Sequence, residues 1–116
     1  MSLEEQIYAQ ALVMVGPLTV EQDNLLRVLC RTAKATLAGR LRENLTPEDF
    51  PSDFIAAASL YALAALSESD NGPEQFTAGD LTVRRGERNT AARCLRGQAE
   101  LLLVPYVRDA FAFLGV

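Results

Sequence analysis

The sequence contains no histidine and no tryptophan, and its only lysine is Lys34. Without histidine, no imidazole can act as a catalytic base or bind a metal, which excludes Ser-His-Asp and Cys-His arrangements. Cys-x-x-Cys pairs, a glycine-rich phosphate loop and a calcium loop of spaced carboxylates are also missing. The sequence therefore predicts no catalytic residue, no metal site and no cofactor.

Positive charge is scarce as well. The formal net charge is −4 and the isoelectric point is about 4.8, which disfavours strong binding to nucleic acid through its phosphates. Ten of the eleven basic residues are arginine, whose planar group suits paired contacts with carboxylates. This bias favours salt bridges, within the chain or between chains.

Cysteine is rare, and no apolar run is long. Cys30 and Cys94 each lie in a predicted helix at a core position, and the start carries no secretory signal, so both are expected to be free thiols in a cytoplasmic protein. The uncharged stretch 54–66 spans thirteen residues, fewer than the roughly 20 that cross a bilayer. We expect a single domain, residues 1–116, without membrane contact.

Four helices are predicted from hydrophobic spacing and capping signals. The second begins after a capping box formed by Thr19 and Gln22, and Thr46 and Asp49 indicate a short helical turn before the third. The third is apolar on nearly all sides, which predicts burial by its own chain, by a neighbouring subunit or by both. The predicted ranges are 3–15, 20 to about 42, about 52–67, and 89 or 90 to Pro105 with a short helix after it.

Between the third and last helices, the segment QFTAGDLTVRRG has the pattern of a β-hairpin. Gly79-Asp80 fits a type II′ turn, which places Phe76 opposite Val83 and an apolar face on one side. The fold class predicted is all-α, a four-helix bundle with short helical segments and one β-hairpin between the third and last long helices. The hairpin is expected to pack either on its own core or on a neighbouring subunit.

Two clusters of charge allow alternative interpretations. The carboxylates around the third helix's start could bind a cation or form an acid/base pair, but helix capping and solvated charge explain them better. They are Glu43, Glu48, Asp49 and Asp53. The arginines of the second and last helices could bind an anionic metabolite, as in chorismate-mutase-like enzymes, but ion pairs at the surface or between subunits are favoured. These arginines are Arg27, Arg31, Arg93 and Arg96.

The order of these elements, with FTAGDLTV in the hairpin and PYVRDAFAFLGV at the end, resembles the head-tail connector, or adaptor, proteins of long-tailed bacteriophages and prophages. The resemblance implies a non-enzymatic subunit of a homo-oligomeric ring of about twelve copies in the virion or the host bacterial cytoplasm. Such a ring lies beneath the portal protein, contacts a downstream head-completion (stopper) protein, and lets DNA pass without specific binding.

The resemblance places Phe76, Gly79, Asp80 and Val83 in the connector segment, and it makes the apolar end, including Phe111, Phe113 and Leu114, a portal-contacting tail. Leu81 on the hairpin and Arg93 and Arg96 on the last helix complete the predicted assembly interface. Two other functions stay open at this point: the small enzyme acting on an anionic metabolite, and a helical regulatory domain that binds a partner protein.

Overall fold

A computed structural model describes residues 2–69, 75–78, 81–84 and 88–107 of the chain; for residues 75–78, 81–84 and 88–91 the backbone alone is described. In chain order, the elements are α1 (Leu3–Val15), α2 (Val20–Ala38), a 3-10 turn (Pro47–Asp49), α3 (Pro51–Glu68), β1 (Gln75–Ala78), β2 (Leu81–Arg84) and α4 (Arg88–Leu103).

Side-chain caps fix the starts of the first two helices. The Ser2 hydroxyl accepts a hydrogen bond from the Glu5 amide, which begins α1. Thr19 and Gln22 form the reciprocal capping box of α2, with distances of 3.2 and 3.1 Å. Gly16 has φ of +80°, a conformation that glycine adopts without strain and that ends α1. The predicted capping box and helix starts are therefore confirmed.

α3 is the central helix, and α1, α2 and α4 all pack against it. Phe54, Leu63 and Leu66 are completely buried, together with most of the alanines of α3. Ser59 is polar and also completely buried; its hydroxyl donates to the carbonyl of Ile55 and lies within hydrogen-bonding distance of the carbonyl of Ile7 in α1. The apolar character of α3 thus reflects burial by its own chain.

The all-α class is confirmed, but the predicted bundle with a hairpin needs correction. In residues 2–69 and 92–107, where side chains are described, the core is built from helices and turns. β1 and β2 form an antiparallel backbone pair beside α1 and α4, with Phe76 opposite Val83. A two-stranded pair of this length is too small to organise a core. The predicted Gly79-Asp80 turn and the apolar hairpin face lie outside the described residues.

The predicted end of α2 was also wrong. α2 ends at Ala38 rather than near Arg42, because the amides of Arg40 and Leu41 bond three residues back, which tightens the last turn. Leu41 then leaves the helix and forms an isolated antiparallel bridge with Val107. After Pro105 no helix begins through Val107, and the rest of the predicted final helix, residues 108–116, lies outside the described residues.

Candidate functional surfaces

A cluster of polar side chains joins α1 to α2. The Tyr8 hydroxyl donates to the Asp23 carboxylate, and Arg27 contacts both of them. The Arg27 Nε lies 3.2 Å from Asp23 Oδ2, and the guanidinium carbon lies 4.1 Å from the centre of the Tyr8 ring. Sequence reasoning missed this cluster, because Tyr8 and Asp23 are 15 residues apart.

Protonation in this cluster follows from its contacts. The Tyr8 hydrogen bond, with help from Arg27, lowers the pKa of Asp23. The same bond raises the pKa of Tyr8, because ionised Tyr8 would lose it and face a carboxylate. The pKa of Arg27 is raised by its hydrogen bond to Asp23. At neutral pH Asp23 is therefore ionised, Tyr8 is neutral and Arg27 is charged. In these states the hydrogen bonds of the cluster hold α1 and α2 together.

Beside this cluster lies a cavity of about 100 Å³ lined by Glu4, Glu5, Tyr8, Arg27, Cys30 and Arg31. Arg31 Nε lies 3.5 Å from Glu4 Oε1, so its charge faces a carboxylate. Among these described residues, two arginines and two glutamates have formal charges that cancel. Cys30 is buried beneath it, and burial raises the pKa of its thiol to about 12.

The arginines of α4 lie at a separate cavity of about 520 Å³, lined by Glu68, Arg93, Arg96, Gly97 and Glu100. Arg96 donates to Glu68 at the end of α3, and this hydrogen bond raises the pKa of Arg96. Its guanidinium also lies 5.9 Å from the ring centre of Tyr61. In the described lining of this cavity too, two arginines and two carboxylates lie together.

The four arginines considered for an anion site therefore do not converge. Arg27 and Arg31 lie between α1 and α2, whereas Arg93 and Arg96 lie on α4 beside the end of α3. Each pair has its own carboxylate neighbours, so the described lining of neither cavity carries the excess positive charge that would hold an anionic metabolite. The prediction of surface ion pairs fits this arrangement, and the described pairs lie within one chain.

The acidic residues before and within α3 also have local partners. Asp49 accepts from the Thr46 amide at 2.8 Å, as predicted for a cap. Asp53, predicted to cap α3, instead accepts from the Tyr106 hydroxyl at 2.8 Å; this hydrogen bond raises the pKa of Tyr106. No set of three or more potential metal ligands comes together in the described part of the chain.

The largest apolar depression among these surfaces is a groove between α1 and α3. We call it the α1/α3 groove; its volume is about 470 Å³, and none of the described residues that line it is charged. Val13 on its wall has 80% of its surface exposed. The lining residues are Gln6, Ala9, Gln10, Val13, Ser52, Ile55 and Ala56.

A second apolar area lies on the outward side of α4. It comprises Cys94, Gly97, Gln98 and Leu101, which share one face because of their i, i+3, i+4, i+7 spacing; we call it the α4 outer surface. Leu101 is 64% exposed, and these residues with Glu100 line a shallow cavity of about 390 Å³. Cys94 is exposed, so its predicted core position was wrong, although both cysteines are free thiols.

Of the predicted assembly residues, Arg93 and Arg96 are placed on α4 beside the α4 outer surface. The hairpin side chains Phe76, Leu81 and Val83, the turn Gly79-Asp80, and the terminal Phe111, Phe113 and Leu114 lie outside the described residues or side chains. The strand backbones run beside α1 and α4 of the same chain, which gives no support for the hairpin as a contact between subunits.

No protein-family model, no curated protein and no solved structure matches this chain significantly. Within the described ranges, no helix combines the length and apolar character needed to cross a membrane.

Proposed function

We propose that this protein is a structural assembly subunit whose α4 outer surface contacts another subunit, and that its specific role is that of a ring-forming head-tail connector. The observation that carries the assembly proposal is the α4 outer surface itself. Leu101 is a large apolar side chain left mostly in water, next to Gly97, which lacks a side chain that would keep a partner away. An uncovered apolar area with a polar border is typical of a protein contact.

The charges around this surface also suit a contact. Arg93 and Glu100 border it, and charged residues at the border of an interface set its orientation and specificity. The ion pairs of Arg27, Arg31 and Arg96 support the same proposal over the small-molecule enzyme, since each of these arginines already faces a carboxylate of its own chain. The connector role rests on the resemblance of the element order and of the FTAGDLTV segment.

The test uses a variant that blocks the surface without harming the fold. A Cβ added at Gly97 meets no atom within 4 Å, so Gly97→Lys has room in the isolated subunit and improves on glycine in a helix. Thr32→Lys, at an exposed position on α2, is the matched control. Light scattering over increasing protein concentration should show association for the parent and for Thr32→Lys, and none for Gly97→Lys.

Electron microscopy with a cognate portal protein tests the connector role. Additional ring density beneath the portal, lost with Gly97→Lys, would support it. If the portal complex gains no density while the chain still associates alone through the α4 outer surface, assembly stands and the connector role fails. If neither association is seen, the regulatory binding domain becomes the better explanation.

A further inference from the structure

The border of the α4 outer surface carries two opposite charges on one side. Arg93 and Glu100 occupy positions i and i+7 of α4, so they lie on the same side of the helix, two turns apart. Both lie next to Gly97. Arg93 is exposed, whereas the neighbouring Arg96 is held by Glu68. A surface with both charges along one side is complementary to a second copy of itself.

Antiparallel packing is the arrangement that brings these charges together. In two antiparallel helices related by a two-fold axis, the same side of each helix meets the same side of its partner. Arg93 lies four residues before Gly97, and Glu100 lies three residues after it. If two α4 helices cross at Gly97, Arg93 of one copy is level with Glu100 of the other to within one residue, or about 1.5 Å. In a parallel pair the charged sides would lie on opposite sides of the contact.

The same register places the apolar side chains opposite each other. Leu101, which is 64% exposed, lies four residues after Gly97, and Cys94 lies three residues before it, so each Leu101 is level with Cys94 of the partner subunit. A Cβ at Gly97 would meet no atom within 4 Å in the isolated chain, so the two backbones can approach closely where they cross. On the other side of the surface, Gln98 is exposed, and its amide can both donate and accept.

We propose that two copies of this chain pack their α4 helices antiparallel across Gly97, and that Arg93 of each copy pairs with Glu100 of the partner subunit. The inference rests on the assembly proposed above and names the partner of the α4 outer surface, which is the same surface of a second copy. Such a contact closes at two copies, so a connector ring would join these pairs through a further surface.

Exchange of the two charges tests the pairing. Arg93→Glu places two carboxylates opposite each other, and Glu100→Arg places two guanidinium groups opposite each other, so each variant should self-associate at least about tenfold more weakly than the parent. Mixed in equal amounts, the two variants should associate with each other about as tightly as the parent does, because both pairs then have opposite charges. Sedimentation velocity over increasing concentration measures both effects.

The matched controls are Arg42→Glu and Glu43→Arg, at exposed positions outside α4. They change the net charge of the chain by the same amounts as the two α4 variants. Each should associate like the parent, separately and mixed. Weakening by the controls as strong as by the α4 variants would mean that net charge, and not the pairing of Arg93 with Glu100, controls association, and would overturn the proposal.

Disulfide formation tests the antiparallel register. Two copies of the native Cys94 would lie six residues, or about 9 Å, apart along the contact, beyond the reach of a disulfide. Gly97→Cys in a Cys94→Ser background places both thiols at the crossing point, and Thr32→Cys in the same background is an exposed control on α2. Cys30 does not compete, because it is buried with a pKa raised to about 12. Covalent dimers of Gly97→Cys should form at least about tenfold faster than those of the native chain or of Thr32→Cys.

The outcomes separate this contact from the assembly proposal. If Gly97→Lys prevents association of the parent but the mixed charge variants do not recover, the α4 outer surface meets a different surface; assembly then stands and the antiparallel pairing is wrong. Faster dimer formation through Cys94 than through Gly97→Cys would also overturn the pairing. If the parent does not associate, both proposals fail. Circular dichroism showing the parent's helix content in each variant excludes unfolding as the cause of weaker association.

Discussion

At the scale of single residues, Asp23 shows how one carboxylate joins two helices. It accepts from Tyr8 in α1 and from Arg27 in its own helix, and these contacts lower its pKa. A lowered pKa in the folded state means that ionised Asp23 stabilises the fold above its ordinary value of 3.8 and that this contribution disappears as the pH falls through the lowered value. We therefore expect Asp23→Asn to reduce the free energy of unfolding more at pH about 6 than at pH about 2.5.

Chemical denaturation at the two pH values measures this difference. Tyr8→Phe serves as the control background, because it removes the largest cause of the shift while keeping the ring beneath Arg27. In that background the pH dependence of the Asp23→Asn effect should be smaller. A loss of stability that is the same at both pH values would show that the Asp23 contacts contribute nothing through charge.

The two cysteines should differ in reactivity. Cys94 is exposed, whereas Cys30 is buried with a pKa raised to about 12. At pH 8 a thiol with that pKa is ionised on the order of one part in ten thousand, and only the thiolate reacts. A thiol reagent should therefore modify one cysteine in the native protein and both in denaturant. Cys94→Ser should abolish the native reaction; rapid labelling of that variant would contradict the burial of Cys30.

At the scale of elements, the capping box of α2 is a direct test of what starts a helix. Thr19→Ala removes the hydroxyl that accepts from the Gln22 amide and should lower the free energy of unfolding by about 1 kcal/mol. Thr32→Ala is the matched control, because that exposed hydroxyl only donates to the Val28 carbonyl of its own helix. Urea denaturation should find it within about 0.5 kcal/mol of the parent. Equal effects of the two substitutions would contradict a specific capping role.

The elements that the sequence predicted well are those whose signals are local. The capping residue Thr19 and the spacing of core positions lie within a few residues of the helix starts that they predict. The end of α2 was missed because Leu37 and Leu41 are both buried, so their spacing continued the helical pattern. Leu41 is buried by Val107, a contact between distant parts of the chain that periodicity cannot reveal.

The candidate surfaces were predictable only in part, for a related reason. Composition alone disfavoured histidine chemistry and strong phosphate binding, and the arginine bias favoured ion pairs. The partners of those arginines, such as Glu68 for Arg96, depend on how the helices pack. The α1/α3 groove is formed by residues of two helices, such as Val13 of α1 and Ile55 of α3. In the sequence, both residues look like ordinary apolar core positions, so nothing marks them as lining a groove.

At the scale of the whole molecule, one hydrophobic core joins every described helix. Residues of α1, α2, α3 and α4 belong to the same buried cluster, with the 3-10 turn region contributing Phe50. Because α3 contacts all three other helices, no helix can separate from α3 without exposing part of that cluster. We therefore infer that the described fold behaves as one cooperative unit.

The three tyrosines allow this cooperativity to be measured, since the chain has no tryptophan. Tyr8 reports on the contact between α1 and α2, Tyr61 lies near Arg96 of α4, and Tyr106 stacks on Phe50. Unfolding followed by tyrosine fluorescence and by far-ultraviolet circular dichroism should give coincident transitions. Phe54→Ala, at a completely buried position, should shift both together by about 3–5 kcal/mol, and Leu101→Ala at the surface by less than about 0.5 kcal/mol. Two separate transitions, or a Phe54→Ala shift in one signal only, would mean that part of the bundle unfolds independently and that the shared core does not couple its helices.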